Sequence, residues 1–584
     1  MATVTMPAWA TKTAQEAMQA DITAIKTDVA ALKTQALPLG PVRYHTQKFV
    51  SGSGVELKWK DPKDTVIAGY PAAYWKQTVI VRKEDADPTS ITDGTVVLTT
   101  TTRDQYQHTA YLDTNGTANS HYRAFPSATS GYVNESADNI FTTYVLFGFT
   151  IDETNPDPDT CITYTDANAD FTPIRMDFTN NAITGTTDWM SCFFMPKPCM
   201  LHRADSEHDE SYVDYYLDPT DYTKKADGVT ASDVANTSYA GNAMMEFPPI
   251  FMKVTKDGPN IHFAFSDQRL DEDFEAWSAK THDGTYKPWY NAIYEGQAIL
   301  NVMRSMSTGQ KPTGSTNAVN EWAYSQANNV NDDKGWGTTL WADEQVIKAL
   351  TFLVTRSLNS QTAIGGVYNT AQSLQMNCGA GNTLGMFYGK NDGSYTPTKC
   401  FGMENRWGHR NRRCQGINAI DYKIVVKMTL SDIDGAIGGI ATSDNSIDYA
   451  HYINTEDLIP AGASGAYISE IHYGHRTAGM PLSSTGGSSS TFYCDGLYTS
   501  SGFRGVMFGG TLAIGLLAGV SYCNANNAPS NANWNYGATL TYTSAQAWPL
   551  MRHPCLGGSP RDEDFSCASS SVVGNNRNTP AGAA

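Results

Sequence analysis

TFYCDGLYTSSGFRGVMFGGTLAIGLLAGVSYCNANNAPSNANWNYGATL, running from Thr491 to Leu540, decides how this chain is read. It mixes aromatic residues with many Gly and closes on a run rich in Asn, Ala and Ser, and its only charges are Asp495 and Arg504. Gly and Asn suit turns and positive-φ positions more than helix or continuous strand. Surfaces that must adapt to a partner use the same palette, with Tyr and Trp for area and Ser, Gly and Asn for adjustable hydrogen bonds. The stretch therefore reads as the working surface of a binding protein. Tyr493, Tyr498 and Tyr522 are expected to be exposed there, whereas Trp534 and Tyr536 fit a core plug and a surface equally well.

Working outward, the chain has 584 residues, 41% of them hydrophobic and 11% aromatic, which is globular but too long for one core. The formal net charge is −18. That balance argues against nucleic acid as a main partner, because duplex binding draws on a basic face. No apolar run reaches the length needed to span a bilayer, since Val506–Val520 is interrupted by Gly. The opening MATVTMPAWATK lacks a basic-then-apolar leader, which predicts synthesis in a cytoplasm without export by a signal peptide. The sequons at Asn115, Asn134 and Asn236 carry no information in that setting. The 10 Cys are scattered without a C-x-x-C pair and are expected to be buried free thiols.

Residues 11–35 hold no Gly or Pro, and Met18, Ile22, Ile25, Val29 and Leu32 are spaced 4, 3, 4, 3. This is a heptad seam too short to stand alone, so residues 1–36 are expected to form an oligomerising coiled coil. Mostly β-branched seam residues point to three strands, hence a homotrimer. The segment Pro38-Leu39-Gly40-Pro41 ends the helix. Residues 40–146 then read as short strands, with alternation in Val55–Asp61 and Gln77–Lys83 and a β-branched run in Gly94–Thr102. Beyond Phe147, strands and helices mix. Pro248–Asp267 reads as a hairpin around Asp257-Gly258, Asp421–Asp432 as a buried strand, and Ala342–Gln361 as a helix with Val346, Ile347, Leu350, Leu353, Val354 and Leu358 on one apolar face. Residues 557–584 form a polar tail.

Catalytic signatures are missing: there is no phosphate-binding loop, no G-x-S-x-G and no H-E-x-x-H. The acidic run from Asp205 to Glu210, with Asp214, Asp218 and Asp221 beyond it, lacks the spacing of a calcium loop and reads as a solvated loop. His472 and His475 lie among Gly and Ser, which favours a loop over a metal site. No catalytic residue, metal or cofactor is assigned. Asn405–Arg413 (NRWGHRNRR) is a basic cluster in an acidic chain. It suits either an anionic polymer, such as a teichoic acid or sulfated sugar, or pairing with acidic loops inside an oligomer.

Two resemblances follow from these residues. HYRAFPSATSGYVN with Tyr122, together with Trp59 on an early strand and Ser130-Gly131-Tyr132 opening the last, makes 40–146 similar to a fibronectin type III domain, usually a spacer. FGFTIDETNPDPDTCITYTDA (Phe147–Ala167), MMEFPPIFMKV (Met244–Val254), YNAIYEGQAILNVMRSMSTGQKPT (Tyr290–Thr313), NRWGHRNRRCQGI (Asn405–Ile417) and Thr491–Leu540 resemble, in that order, the α+β C-type-lectin-like, formylglycine-generating-enzyme-like head of phage tail receptor-binding proteins. The head would span 148–556. The expected architecture is multidomain: coiled-coil helix, fibronectin III-like β-sandwich, then lectin-like head.

The closing stretch is also similar to the variable regions written by diversity-generating retroelements. That resemblance implies ligand-binding, variable positions at Tyr493, Asp495, Leu497, Tyr498, Thr511, Ala513, Ile514, Leu517, Tyr522 and Asn524 on one exposed face, framed by Gly509, Gly510, Gly515 and Gly519. The implied role is a phage tail-tip adhesin in the virion, bound to other tail proteins through its N-terminus and to a host surface protein or glycan through its head, without membrane insertion. A tail enzyme acting on host polysaccharide, or a bacterial variable surface-display protein, is the alternative.

Overall fold

The computed structural model describes residues 37–544 except 282–283, 332, 367–374, 393–394, 431–440, 442, 444–446 and 448–451, together with residues 20, 23 and 26. The seam positions Met18, Ile22, Ile25, Val29 and Leu32 lie outside the described residues, as does the tail 557–584; Ala20, Thr23 and Lys26 are helical and exposed. The chain is β-rich and multidomain. Among the described residues from 37 onward, α-helix is confined to Ala318–Gln326, Trp341–Thr355 and Ser360–Ala363.

Alternation builds the first sandwich. In the strand Gly54–Lys60, Val55, Leu57 and Trp59 turn inward while Glu56, Lys58 and Lys60 face out. That strand pairs with Arg43–Val50 and Tyr111–Asp113, and a second sheet aligns Thr95–Thr100, Trp75–Glu84 and Ser120–Ala128. The two sheets enclose Val42, Leu57, Trp59, Ile80, Tyr122 and Phe141. Tyr122 donates its hydroxyl to Asp113 Oδ2 at 2.9 Å, which ties the two sheets together. Gly116 leaves room for that hydroxyl, since a Cβ there would come within 2.3 Å of it.

The last strand departs from expectation. It begins at Thr142, not near Ser130, and runs parallel to Arg43–Val50. The intervening chain turns at Gly131 (φ 87°) and through a 3₁₀ turn at Ala137–Asn139. Buried Asn139 holds it there by accepting from Val42 N at 2.9 Å and donating to Asn134. Lys60 and Gln107 both donate to Glu272, and Arg269 lies over the Tyr44 ring, so the sandwich is fastened to the domain that follows.

That second domain starts at the strand Leu146–Asp152. The expected hairpin forms, with Phe251–Asp257 pairing Asn260–Ser266; Gly258 supplies the positive φ (57°) its two-residue turn requires. A seven-stranded antiparallel sheet has Gly241–Phe247 at its centre and carries Trp289–Ala292 and Leu540–Thr543 side by side between it and the edge strand Trp336–Thr338. A third sheet orders Ile453–Leu458, Lys423–Val426, Asn411–Ile420, Phe503–Gly509, Gly519–Asn527, Gly496–Thr499 and Ser464–Tyr467.

Between these layers lies the helix Trp341–Thr355. Val346, Ile347, Leu350, Leu353 and Val354 fall on it as expected, but the expected run to Gln361 is cut short at Arg356 (φ 44°), which leaves Leu358 beyond its end. The picture of one apolar and one wet face is also corrected, because every residue from Trp341 to Thr355 is buried. Its polar side meets protein in place of water. Gln345 donates to Ala478 O at 3.1 Å, and Lys348 Nζ donates to Gly479 O at 3.1 Å while lying 4.9 Å from the Phe508 ring centre. No helix among the described residues is long and apolar enough to cross a membrane.

Candidate functional site

Three strands of the third sheet and one loop make up most of the Thr491–Leu540 stretch: Gly496–Thr499, Phe503–Gly509 and Gly519–Asn527, with residues 510–518 between the last two. The shared exposed face expected of its ten candidate positions is corrected for six of them. Tyr493, Asp495, Leu497, Thr511, Tyr522 and Asn524 are buried. Tyr493 packs near Phe352 of the long helix and donates to Glu153 Oε1 at 3.4 Å, and Leu497 belongs to the same core. Thr511 sits beside His409 in a parallel bridge, while Tyr522 accepts from Asn524 Nδ2 at 3.3 Å. Their burial has a common cause. Leu497, Tyr522 and Asn524 lie on strands whose both faces are covered, and Tyr493, Asp495 and Thr511 lie in the segments that enter or leave those strands.

Asp495 is the extreme case. It is wholly buried, and its Oδ2 accepts from Ser521 N at 2.7 Å. Burial pushes its carboxyl from 3.8 up to about 8, against the pull of the Ser521 amide and of Lys348. Gly519 makes the contact possible, since a Cβ there would fall 1.9 Å from Asp495 Oδ1. The carboxyl thus ties the start of the strand Gly519–Asn527, where the loop 510–518 ends, to the chain just ahead of the neighbouring strand Gly496–Thr499. Gln361 and Ser360 of the short helix add two more clips, donating to Ala518 O and accepting from Val520 N.

Held this way, the loop projects a small outward face. Ala513 and Leu516 are exposed, Leu516 at 50%, and Ile514, Leu517 and Tyr498 are half-buried. Leu517 lies against Gly496, and the neighbouring strand contributes half-buried Tyr467. Leu516 and Tyr467 were not among the sequence candidates. The signal for Leu516 was its apolar doublet with Leu517 inside a Gly-rich loop, which by sequence alone reads equally as core. Of the undecided aromatics, Tyr536 is buried under the Arg413 guanidinium (5.0 Å), and Trp534 is half-buried against Met376 and Leu512.

The basic cluster is tied to this loop, since Leu512 N donates to His409 O at 3.1 Å and Gly408 N to Gly509 O at 3.0 Å. Most of its charge is spent internally. Glu344, buried on the long helix, receives Arg406 and both oxygens of its carboxylate receive Arg412 Nη2 (3.0 and 2.9 Å). Burial alone would raise the Glu344 carboxyl; the two guanidiniums reverse that and hold it below its ordinary value. Arg413 pairs with buried Glu321 at 2.8 Å. Met376 N donates to His409 Nε2 at 3.0 Å, so Nδ1 carries the proton that Glu295 accepts. Glu344, Glu321 and Glu295 are three functional partners that the sequence reading missed; Glu344 and Lys348 inside an apolar helical run were the available signal. Pairing is intramolecular, not with acidic loops of a second copy. Arg410 differs: among the described residues it donates to no carboxylate, Nη2 donates to Gln375, and Nε and Nη1 have no hydrogen-bond partner.

The remaining candidates are local. Asp205 accepts from Glu207 N and His208 N and so closes its own turn. His472 Nε2 lies 2.9 Å from Leu458 O, and His475 packs edge-on against Trp277. Burial, helped by the Arg476 charge, lowers the His475 ring to about 4. No group of three or more His, Cys, Asp or Glu is placed to hold a metal among the described residues. The eight described cysteines are free thiols, and all but half-buried Cys192 are buried. No protein-family model matches the chain, and no curated protein matches it.

Proposed function

We propose that this chain is a receptor-binding protein of a phage tail, attaching the virion to a host cell surface through a C-type-lectin-like head spanning 148–556. In this reading residues 1–36 are a trimeric coiled coil that joins the tail, and 40–146 are a fibronectin III-like spacer. The observation that carries it is the loop 510–518: apolar Ile514, Leu516 and Leu517 are held toward solvent by clips from Asp495, Ser360 and Gln361. Pre-ordering a loop before its ligand arrives lowers the entropy cost of binding. A single weak contact repeated on three linked heads gains avidity. The ligand-facing positions in this proposal are Tyr467, Tyr498, Ala513, Ile514, Leu516 and Leu517. The buried members of the earlier set support them from beneath.

Fluorescently labelled full-length protein, applied to a panel of intact Gram-positive and Gram-negative cells, tests the reading. The Leu516→Asp change should cut cell-bound signal at least ~10-fold and leave the melting midpoint unchanged, since surface substitutions cost about 0.5 kcal/mol or less. Failure to label any strain, or labelling untouched by Leu516→Asp combined with Tyr498→Ala, overturns it.

A further inference from the structure

Beside the loop lies an open cavity of about 430 Å³. Its wall is the Asn-rich end of the opening stretch, where Trp534 is fixed by Ser315 N donating to Asn533 O at 2.8 Å. Arg410 and Gln375 line it from the inside, and Ser315 and Lys311 stand at its exposed side. The volume suits one or two sugar residues.

Arg410 is what gives this cavity a chemistry. Only 4% of the residue is exposed, yet its guanidinium makes one hydrogen bond, to Gln375, and leaves two nitrogens without a partner. A buried arginine short of partners is costly, and the four other cationic or imidazole side chains of the same cluster each have a carboxylate. Glu295 is near in space, but its Oε2 is taken by His409 and Asn405. Glu295 and Glu321 act on Arg410 through space, but among the described residues neither accepts a hydrogen bond from it, so its open N–H donors are left for an acceptor that can arrive in the cavity. Trp534 adds an aromatic side chain on which the apolar face of a sugar ring can stack, and the Gln375 amide and Ser315 hydroxyl suit sugar hydroxyls.

We infer that the cavity bounded by Arg410, Gln375, Ser315 and Trp534 is a binding site for an anionic saccharide unit, one that carries a carboxylate or a phosphate on a sugar or sugar alcohol. The inference deepens the adhesin reading and rests on it only for the setting, a host surface polymer. The anion accepts from the Arg410 guanidinium, a contact that is both directional and charge-assisted, and the ring packs on Trp534. The apolar loop and the cavity then contribute separate parts of one recognition surface.

Calorimetric titration of the full-length protein separates the possibilities. Glucuronic acid and glycerol 3-phosphate are the anionic probes, with glucose and glycerol as their neutral counterparts. At least one anionic probe should bind about tenfold or more tighter than its counterpart, and raising the salt concentration should weaken it. Glucuronic acid ahead marks a sugar acid as the source, and glycerol 3-phosphate ahead marks a phosphate polymer. Arg410→Gln should remove the preference for the anion. Trp534→Ala, at a half-buried position that tolerates change, should weaken glucuronic acid more than glycerol 3-phosphate. Equal binding of charged and neutral probes, no binding of either anion, or anion binding that survives both substitutions overturns the inference. Cell labelling that persists in Arg410→Gln while both anions fail to bind sinks the cavity and spares the adhesin reading; anion binding without cell labelling does the reverse.

Discussion

Asp495→Asn isolates the clip beneath the loop, because it keeps the shape of the side chain and removes the titrating proton. The native carboxyl is wholly buried and raised from 3.8 to about 8, so in the folded protein it is held neutral at pH values where the unfolded chain has already released the proton. A carboxyl raised on folding makes the native state bind more protons than the unfolded state between those two values. Stability from this group is complete below the unfolded value and is lost as pH rises toward the folded one, at about 1.4 kcal/mol per pH unit. Between about pH 5 and about pH 8 the wild-type protein should therefore lose roughly 3 to 4 kcal/mol that the Asn variant retains. Glu321, pushed up to about 7, and Asp343, pushed up to about 6, tilt stability the same way, but both remain in either protein and cancel in the difference.

Urea midpoints of the two proteins at matched pH supply the measurement. Tryptophan emission follows the head, where Trp289, Trp336, Trp341 and Trp407 are all fully buried. The Asn variant should be close to wild type near pH 5 and clearly more stable near pH 8, a range worth about three units of the slope above. A difference that stays flat with pH refutes the neutral clip. One that grows in favour of wild type as pH rises does so more sharply: it would mean that Asp495 is ionised and paired with Lys348 through the core.

Three other outcomes are expected. Glu344→Gln leaves Arg406 and Arg412 buried without their shared carboxylate and should cost about 3 to 5 kcal/mol in urea unfolding; a loss under about 1 kcal/mol would show that water or a rearranged neighbour takes its place. Tyr493→Ala, a core truncation beside Phe352, should cost about 3 to 5 kcal/mol, whereas a melting midpoint equal to wild type would restore Tyr493 to the surface. Deleting residues 1–36 should lower the oligomeric mass by light scattering, and an unchanged mass removes the coiled-coil proposal.

Elements whose signal is local could be read without a structure. Alternation marked Val55, Leu57 and Trp59 as inward, and Asp257-Gly258 marked a hairpin, because a period of two and a positive-φ Gly act within a few residues. Periodicity also located the helix Trp341–Thr355, yet it could not describe the far side of that helix. An amphipathic pattern separates apolar from polar positions, and whether the polar side meets water or Arg406 and Arg412 depends on residues some sixty positions away. The candidate surface misled for a related reason. Tyr, Gly and Ser are the residues of an adaptable binding loop, and they are also what a tight core needs where backbones approach closely, as Gly519 does to Asp495. Composition cannot tell the two apart; only the layer packed over Tyr493 and Tyr522 does.

The basic cluster carries this distinction one step further. As a string, Asn405–Arg413 is a patch of charge equally suited to a polyanion or to internal pairing. In the fold it is divided residue by residue: carboxylates from two helices pair with Arg406, Arg412 and Arg413, a loop carboxylate accepts from His409, and Arg410 keeps open donors among the described residues. Donors that a fold has matched so consistently on the neighbours give those left open on Arg410 their meaning. They lie where the wall formed by Trp534 opens, and that is where the proposed anion has room to bind.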